Sequence, residues 1–315
     1  MAKVIFKRMI HMIPILLIVV SITFFVTRIL PSNPAVLILG PEASTEDLNR
    51  LQEEMGLNDN IFVQYGSYLS DLLRGDLGRS YVHRKPVIEL ILNVLPNTAV
   101  LAAGGILLSV LIGIPLGILA AVHKNRGLDY LVSFLTLIGV SAPLFWIGLI
   151  LVLVFSVELR WLPVMGKGDL EKGLWDWISH MILPIITIST VSLANILIIT
   201  RSSIIDVLNK DFSKSLTAFG IPKSVILYKH VLKNAMPAII NVIGIQLAKA
   251  LSGAMLVEMI FNWPGMGKLI ADAISSRDYT LVQGCVLFIS IVHVLVNLCT
   301  DIVTYCVNPQ FAGER

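Results

Sequence analysis

Charged residues are scarce in this chain. Asp, Glu, Lys and Arg make up 14% of its 315 residues, whereas apolar residues make up 56% and the mean hydropathy is +0.81. Soluble domains carry roughly 25% charged residues, which solvate their surfaces. The composition therefore excludes an ordinary soluble domain of this length and predicts a protein embedded in a lipid bilayer.

Residue patterns that would carry chemistry are also missing. The three cysteines, Cys285, Cys299 and Cys306, lie in or beside the last apolar run without CxxC spacing, so they predict neither a disulfide framework nor a zinc site. His293 has no second His or Cys three or four residues away, and we expect no metal site. Gly265–Leu269 lacks the upstream glycine and the Ser or Thr of a P-loop. We therefore expect no catalytic residue and no ATP hydrolysis in this chain.

Six apolar runs are long enough to cross a membrane, which requires about 20 residues. They are Met9–Leu30, Val100–Val122, Leu131–Val157, Met181–Thr200, Ala238–Phe261 and Leu281–Tyr305. The first run follows basic residues but is too long for the apolar core of a signal peptide, so we interpret it as a retained anchor. Because a spanning chain must satisfy its backbone hydrogen bonds internally, we predict an all-α membrane protein with about six transmembrane helices.

The distribution of basic residues predicts the orientation in the membrane. Six crossings place both termini on one side, together with His123–Tyr130 and Arg201–Pro237. These short segments hold 12 Lys or Arg against 4 Asp or Glu, so this side is predicted to be the cytoplasm. Most basic residues of the opposite face lie in the long outer segment Pro31–Pro96, where the positive-inside rule has least authority. The net charge of +3 reflects this bias and gives no support to nucleic-acid binding.

Two short helices are predicted in the outer segment. Ser44 and Thr45 are both candidate caps at the start of the first helix, and Gly56 ends it. The amphipathic stretch Ile61–Leu73 forms the second and runs into a turn that Gly75 and Gly78 allow. We expect these helices to form a small cap on the outer face.

Small residues in the second apolar run predict close helix packing. Gly113 and Gly117 flank Pro115, and this spacing lets two helices approach each other closely. Pro115 could also bend the helix.

A polar stretch, Asp211–Pro237, separates two apolar runs, and we call it the central insert. Phe212, Leu216 and Phe219 recur at i, i+4 and i+7, which predicts an apolar stripe on a short helix. The glycine and proline that follow end this helix. A water-facing apolar stripe predicts a protein partner. The basic residues of the next helix either contact that partner or only solvate the helix and hold anionic lipid headgroups.

The central insert and six further blocks carry a family resemblance. The pattern of Ala218, Gly220 and His230–Pro237 resembles the EAA loop of ABC-importer permeases. The further blocks are LGRSY at Leu77–Tyr81, FWIG at Phe145–Gly148, WLPVMG at Trp161–Gly166, EMIFNWPGMG at Glu258–Gly267, RDYTLVQG at Arg277–Gly284 and NLCTDIVTYCVNP at Asn297–Pro309. Jointly they resemble the first permease subunit of dipeptide, oligopeptide and nickel importers over nearly the whole chain.

This sequence departs from the family pattern at two places. Leu216 and Phe219 stand where such loops commonly show alanines, and Gln310 follows Pro309 where the family often has arginine. The first departure affects the detail of an ATPase contact.

The resemblance implies a domain plan and a set of partners. Residues 1–30 would be the N-terminus and first helix, 31–96 the extracytoplasmic segment, 97–307 an ABC type I permease core with the EAA loop at about 202–237, and 308–315 a cytoplasmic tail. The protein would lie in a bacterial inner membrane beside a homologous second permease. Two ATPase subunits would bind ATP and Mg, and an extracytoplasmic solute-binding protein would deliver the cargo.

The resemblance also implies candidate residues. For coupling to the ATPase we predict Phe212, Leu216, Ala218, Phe219, Gly220 and Pro222. For receptor docking or the outer gate we predict Leu77, Gly78, Arg79, Ser80, Trp161, Pro163, Trp263, Pro264 and Gly265. For the pathway we predict Asn195 and Lys249, and Lys249 either lines the pathway or meets an acid on a partner subunit. We interpret Glu258 as structural, because it lies near the outer end of its run.

The sequence leaves alternatives open for the cargo and for the class of transporter. Gly139–Gly166 resembles the nickel branch, which favours nickel, free or chelated, whereas Arg277–Gly284 resembles the dipeptide branch equally well. A channel or secondary carrier without ATPases is the alternative class, but we find no inverted repeat, filter-like motif or chain of acids for proton coupling. An assembly that senses a solute without importing it would share this sequence.

Overall fold

The chain is almost entirely helical. The computed structural model describes residues 2–29, 34–40, 42–54 and 56–307, so the predicted tail 308–315 lies outside them. Its α-helices are α1 Ala2–Ile29, α2 Pro34–Leu39, α3 Thr45–Glu54, α4 Ile61–Leu73, α5 Val87–Val122, α6 Gly127–Ser141, α7 Leu144–Leu151, α8 Leu174–Leu208, α9 Asp211–Ala218, α10 Lys223–Val225, α11 Leu232–Gly253, α12 Met255–Ile260, α13 Met266–Ser275 and α14 Tyr279–Val307. Two π-helical turns, Val152–Glu158 and Ile226–Val231, and a 3₁₀ turn, Leu170–Lys172, complete them. Within the described ranges no strand forms, and the predicted all-α membrane fold is confirmed.

Four helical stretches of the described chain are long and apolar enough to cross a membrane. They are Val87–Val122, Leu174–Leu208, Lys223–Ser252 and Tyr279–Val307. The bent pair Gly127–Ser141 and Leu144–Glu158 makes a fifth if it is counted as one span. At the first predicted span, α1 contains a shorter apolar stretch, Met12–Arg28.

The third predicted span is not straight. The sequence predicts one span over Leu131–Val157, but α6 and α7 meet at an angle of 101°. Ala142 has extended backbone angles, φ −76° and ψ 132°. The ring of Pro143 disfavours the α conformation at the preceding residue, which explains why the helix breaks here.

Two compact units make up the chain. One consists of Met1–Pro96 with Gly265–Val292, and the other of Asn97–Pro264 with His293–Arg315. Helices α5 and α14 each contribute residues to both units. The units are therefore not consecutive in the sequence.

In the first unit, the helix cap at Ser44 and the glycine turn after α4 form as the sequence predicts. The hydroxyl of Ser44 accepts a hydrogen bond from the backbone N–H of Asp47 at 3.1 Å and so caps α3. Helix α4 has the predicted bounds, and Gly75 and Gly78 take φ angles of +82° and +80° in the turn that follows. Packing in this unit centres on a buried apolar cluster that joins α5, α13 and α14: Val87, Ile91, Met266, Ala273, Leu281 and Cys285.

Helices α5 and α8 pack closely in the second unit. A Cβ built on Gly113 would lie 3.2 Å from the carbonyl oxygen of Leu193, and one on Gly117 would lie 2.9 Å from that of Leu197. At Gly117 a side chain would require the backbone to move, and at Gly113 it would require a smaller shift, so the predicted close packing at these two glycines is confirmed. The neighbouring apolar cluster is formed by α5, α8, α11, α12 and the segment after it: Leu101, Ala102, Ile106, Met181, Leu183, Ile188, Ala250, Ala254, Val257, Phe261 and Trp263.

Candidate functional site

The central insert folds as the sequence predicts. Helix α9 ends at Ala218, and Phe219 follows as its C-cap. Gly220 then takes a φ of +75°, a left-handed conformation that glycine adopts without strain. Pro222 is extended and precedes α10. The chain thereby reverses within a few residues and re-enters a membrane-length helix.

The apolar stripe of α9 is divided between interior and surface. Phe219 is 82% exposed and Phe212 is 37% exposed. Leu216, in contrast, is partly buried against a cluster that includes Ile226 and Val231. Leu216 is thus less exposed than the two phenylalanines, and its predicted role in coupling to the ATPase stays a prediction. Its packing holds α9 against the rest of the insert, and the phenylalanines remain available to a partner.

The second half of the central insert has a widened helical turn. Ile226–Val231 is π-helical, a rare form that often occurs at functional sites. Tyr228 in this turn is exposed, and sequence reasoning missed it because it lies outside the i, i+4, i+7 pattern. Lys229 and Lys233 are also exposed, and among the described residues neither forms an ion pair. The insert thus presents aromatic and basic side chains together.

The loop at Leu77–Tyr81, in the first unit, is anchored to the turn before α14. Ser80 is buried, and its hydroxyl donates a hydrogen bond to Oδ2 of Asp278. Leu77 packs partly buried on the apolar cluster of this unit, and a Cβ built on Gly78 would lie 2.8 Å from Cγ2 of Thr280. Only Arg79 of the predicted docking residues here is exposed. This burial argues against a direct receptor contact by Ser80, which supports the loop, and its predicted role in the outer gate stays a prediction.

The predicted outer residues of the second unit also divide by burial. Trp161 is 68% exposed, whereas Trp263 is 1% exposed and its Nε1–H donates to the carbonyl oxygen of Asn97 at 3.1 Å. The amide nitrogen of Asn97 donates in turn to the carbonyl oxygen of Pro264 at 2.7 Å. This burial argues against a direct receptor contact by Trp263, which supports this turn, and its predicted role in the outer gate stays a prediction.

The remaining outer residues have structural partners. The carbonyl oxygen of Pro163 accepts a hydrogen bond from the hydroxyl of Ser156 at 3.0 Å. Gly265 belongs to the other unit, where it is buried and immediately precedes α13. Glu258 is fully buried and accepts a hydrogen bond from the hydroxyl of Thr98 at 2.6 Å, which agrees with its structural interpretation.

The two predicted pathway residues differ in how their polar groups are satisfied. The side-chain nitrogen of Asn195 donates to the carbonyl oxygen of Val191 on its own helix at 2.8 Å. Lys249 lies exposed on α11, and within the described part of the chain its ammonium group has no hydrogen-bond or ion-pair partner. Ile245 and Ser252, four and three residues away, are exposed on the same helix face. Lys249 is therefore available to a group outside this chain.

The described residues hold no group of three or more His, Cys, Asp or Glu side chains placed to bind a metal ion. Gly265 immediately precedes α13 and Gly267 lies within it, and the segment Gly265–Leu269 lacks the upstream glycine and the Ser or Thr of a P-loop.

Comparison with known proteins identifies the class of protein. Two family models match: the N-terminal family of binding-protein-dependent transport system membrane components over residues 1–102, and the binding-protein-dependent transport system inner membrane component over residues 113–313. The fold is similar to that of a solved structure, the MetNI methionine ABC transporter in an inward-facing conformation. The TM-score is 0.59 at 16% identity, covering 70% of this chain and 97% of that one.

Relatives of similar length agree with this class. The dipeptide transport system permease protein of Alkalihalophilus pseudofirmus is 37% identical over 325 residues, which cover 96% of this chain and 97% of the relative. An oligopeptide transport permease of Bacillus subtilis and a glutathione transport permease of Salmonella typhimurium are each 37% identical and cover 98% of this chain. The chain belongs to the family of binding-protein-dependent transport system inner membrane components. It is a multi-pass membrane protein and an ABC importer permease subunit.

Proposed function

We propose that this chain forms part of the membrane pathway of an ATP-driven importer of short peptides, and that its central insert docks on a separate ATPase subunit. The observation that carries the proposal is the geometry of Phe219. Its side chain is 82% exposed, and it stands between the end of α9 and the left-handed Gly220. Aromatic side chains are enriched in the buried cores of protein interfaces, so an exposed phenylalanine at the end of a short helix fits a docking anchor.

The proposed mechanism couples this insert to the membrane helices. ATP binding on the partner ATPases draws the inserts of two homologous permease subunits together, which switches the pathway between outward and inward access. Leu216 supports this step, because it packs partly buried against the cluster that holds α8, the π-helical turn and α11. A displacement of α9 is therefore passed to two membrane-length helices.

The proposed orientation places residues 201–237 and both termini in the cytoplasm. The excess of Lys and Arg over Asp and Glu in the short segments supports it. Arg79 and Trp161, both exposed, then face outward and form candidate contacts for an extracytoplasmic solute-binding protein. ATP and Mg would bind the partner ATPases. The proposed domain plan keeps residues 31–96 outside and the core at 97–307.

For the cargo we favour di- or oligopeptides over nickel. The relatives described above are permeases for dipeptides, oligopeptides and glutathione, and this supports peptides. Lys249 fits the proposal, because an unpaired ammonium group on a membrane helix can attract the carboxylate of a peptide. Asn195 donates one amide hydrogen to its own helix, so its proposed contact with cargo uses the amide oxygen or the second amide hydrogen.

The coupling proposal is tested by placing charge on the exposed aromatic face. The variant carries Phe212→Asp and Phe219→Asp, and it is compared with Lys214→Ala, an exposed substitution on the same helix. We expect the double variant to reach the membrane at normal abundance, to lose co-purification with the ATPase subunits and to lose uptake. Lys214→Ala should leave all three unchanged. Normal uptake by the double variant would contradict coupling through this insert and favour a carrier that works without ATPases.

The cargo is tested separately in cells that carry or lack this chain. We expect deletion to abolish uptake of a radiolabelled glycyl-leucine dipeptide and to leave the uptake of radioactive nickel unchanged. Loss of nickel uptake that excess dipeptide does not affect would instead assign the chain to metal import. A response to dipeptide without any accumulation in vesicles containing all subunits would indicate a sensor.

A further inference from the structure

A partly buried ion pair joins α6 to α8 near the central insert. Nε and Nη2 of Arg201 donate to Oδ1 and Oδ2 of Asp129 at 2.6 and 2.8 Å, a two-pronged geometry that fixes both distance and orientation. Asp129 is 2% exposed. The same Oδ2 also accepts the backbone N–H of Asn125 at 2.9 Å, so one carboxylate closes the turn between α5 and α6 and binds it to α8.

Close backbone packing surrounds this pair. A Cβ built on Gly117 of α5 would lie 2.8 Å from Cβ of Thr200, the residue before Arg201. A small apolar cluster from the same three helices lies beside it: Ala120, Val132 and Leu197. These close contacts leave little room to slide, which favours movement of the end of α5, the start of α6 and the last part of α8 as one rigid assembly.

The rigid assembly borders directly on the central insert. Arg201 lies seven residues before Leu208, the end of α8, which corresponds to about 10 Å along the helix axis. Within those last turns Ile204 and Val207 pack in one buried cluster with Ile226 and Val231 of the insert. A push on the insert therefore reaches Arg201 through a short, well-packed length of α8.

We infer that the Asp129–Arg201 pair is a strut that makes α6 follow the central insert when the insert moves. This inference rests on the proposed coupling function. Apolar contacts alone could let α6 slip along α8, whereas the paired guanidinium and carboxylate fix their relative position in two directions. α6 continues into the sharp bend at Ala142, so the strut passes motion of the insert to the bent pair α6–α7. Asp129 and Arg201 are thus positioning residues.

The test removes both charges together, since removal of one would leave an unpaired buried charge. Asp129→Asn with Arg201→Gln is made in the full complex with its ATPase subunits, reconstituted in lipid nanodiscs. Spin labels replace the exposed residues Lys124, in the α5–α6 turn, and Lys214, on α9. The background carries two further serine substitutions at the exposed cysteines: Cys299→Ser and Cys306→Ser.

In the parent protein the Lys124–Lys214 label distance should be the same in the resting state and with ATP trapped, because both ends move as one body. In the neutralised variant the distance should shift or broaden on trapping. Uptake of labelled glycyl-leucine per ATP hydrolysed should fall about tenfold, within the usual size of an allosteric coupling. The matched control, Lys85→Gln with Glu89→Gln, neutralises an exposed pair of 2.7 Å and should change neither result.

Two results would overturn the strut. One is a parent label distance that changes on trapping, and the other is a neutralised variant that behaves as the parent does. Failure of the strut inference can be told apart from failure of the proposed coupling function. If charge on Phe212 and Phe219 leaves uptake intact, the coupling proposal itself fails. If that charge uncouples transport but the Asp129 and Arg201 variant does not, only the strut fails.

Discussion

The hydroxyl of Ser80 donates a hydrogen bond to Oδ2 of Asp278 at 2.5 Å, and 198 positions separate the two residues in the sequence. Both residues are buried. The carboxylate also accepts the backbone N–H groups of Val82 and Leu281, each at 3.2 Å. One side chain thus ties the loop at Leu77–Tyr81 to the start of α14.

Ser80→Ala should lower the stability of the first unit. The substitution leaves a buried carboxylate oxygen without its short donor, and hydrogen bonds to charged groups contribute about 1.5–3 kcal/mol. Thermal unfolding of the purified protein in detergent measures the change, with Ser67→Ala as the control because Ser67 is exposed on α4. Equal unfolding temperatures for the two variants would show that the bond contributes nothing.

Gly220→Val should abolish uptake without loss of the protein from the membrane. A Cβ at Gly220 would meet no atom within 4 Å, so the free-energy cost of the substitution comes from the backbone conformation and not from a clash. A left-handed residue other than glycine costs about 1–2 kcal/mol, and asparagine tolerates this conformation better than valine. Gly220→Asn should therefore retain most uptake.

Gly127→Ala is the control for Gly220, since Gly127 has equal space and no left-handed backbone. Labelled dipeptide uptake and receptor-stimulated ATP hydrolysis are measured together. A Gly220→Val protein that transports as well as Gly127→Ala would show that the turn at the end of α9 has no role in coupling.

Gly117→Ala should destabilise the packing of α5 on α8. Its methyl group would lie 2.9 Å from the backbone oxygen of Leu197, which cannot rotate away. Overpacking of this kind costs about 1–3 kcal/mol. Gly66→Ala on α4 meets open space and should be neutral or slightly stabilising in the same thermal assay. The reverse order of stability would contradict the close approach of the two helices.

Lys249→Glu should abolish peptide uptake while basal ATP hydrolysis continues. A lysine at the centre of a membrane helix costs about 2.5–3.5 kcal/mol on insertion scales, so its exposed ammonium group is expected to face protein or a water-filled path. Reversal of its charge would repel a peptide carboxylate. Ser252→Ala on the same helix face is the control. Lys249→Glu could instead prevent assembly with the second permease subunit. If replacing an acidic residue of that subunit with lysine then restores assembly, Lys249 pairs with that subunit and not with the cargo.

Local sequence signals predicted much of the fold. The bounds of α4, the cap at Ser44 and the left-handed Gly220 after α9 depend on residues within a few positions of each other, and the structure has all three where the sequence predicts them. The break at Pro143 has an equally local signal, which the prediction of one straight span over Leu131–Val157 missed.

Long-range contacts account for what sequence reasoning missed. The motif blocks that contain Ser80 and Trp263 predict function but do not distinguish a side chain that faces a partner from one that supports the loop. Ser80 is buried by Asp278, and Trp263 by its hydrogen bond to Asn97. No pattern in the neighbouring sequence predicts that Asp278 contacts Ser80 or that Asn97 contacts Trp263.

The sequence by itself determined that this is a helical membrane protein with a structured, water-facing insert, because apolar run lengths, caps and glycines act locally. Only the tertiary structure decided which residues of the motif blocks reach the surface, that Leu216 packs partly buried, and that Asp129 meets Arg201 across 72 positions. These outcomes depend on how separate helices pack, and the free energy of that packing is distributed over residues far apart in the chain.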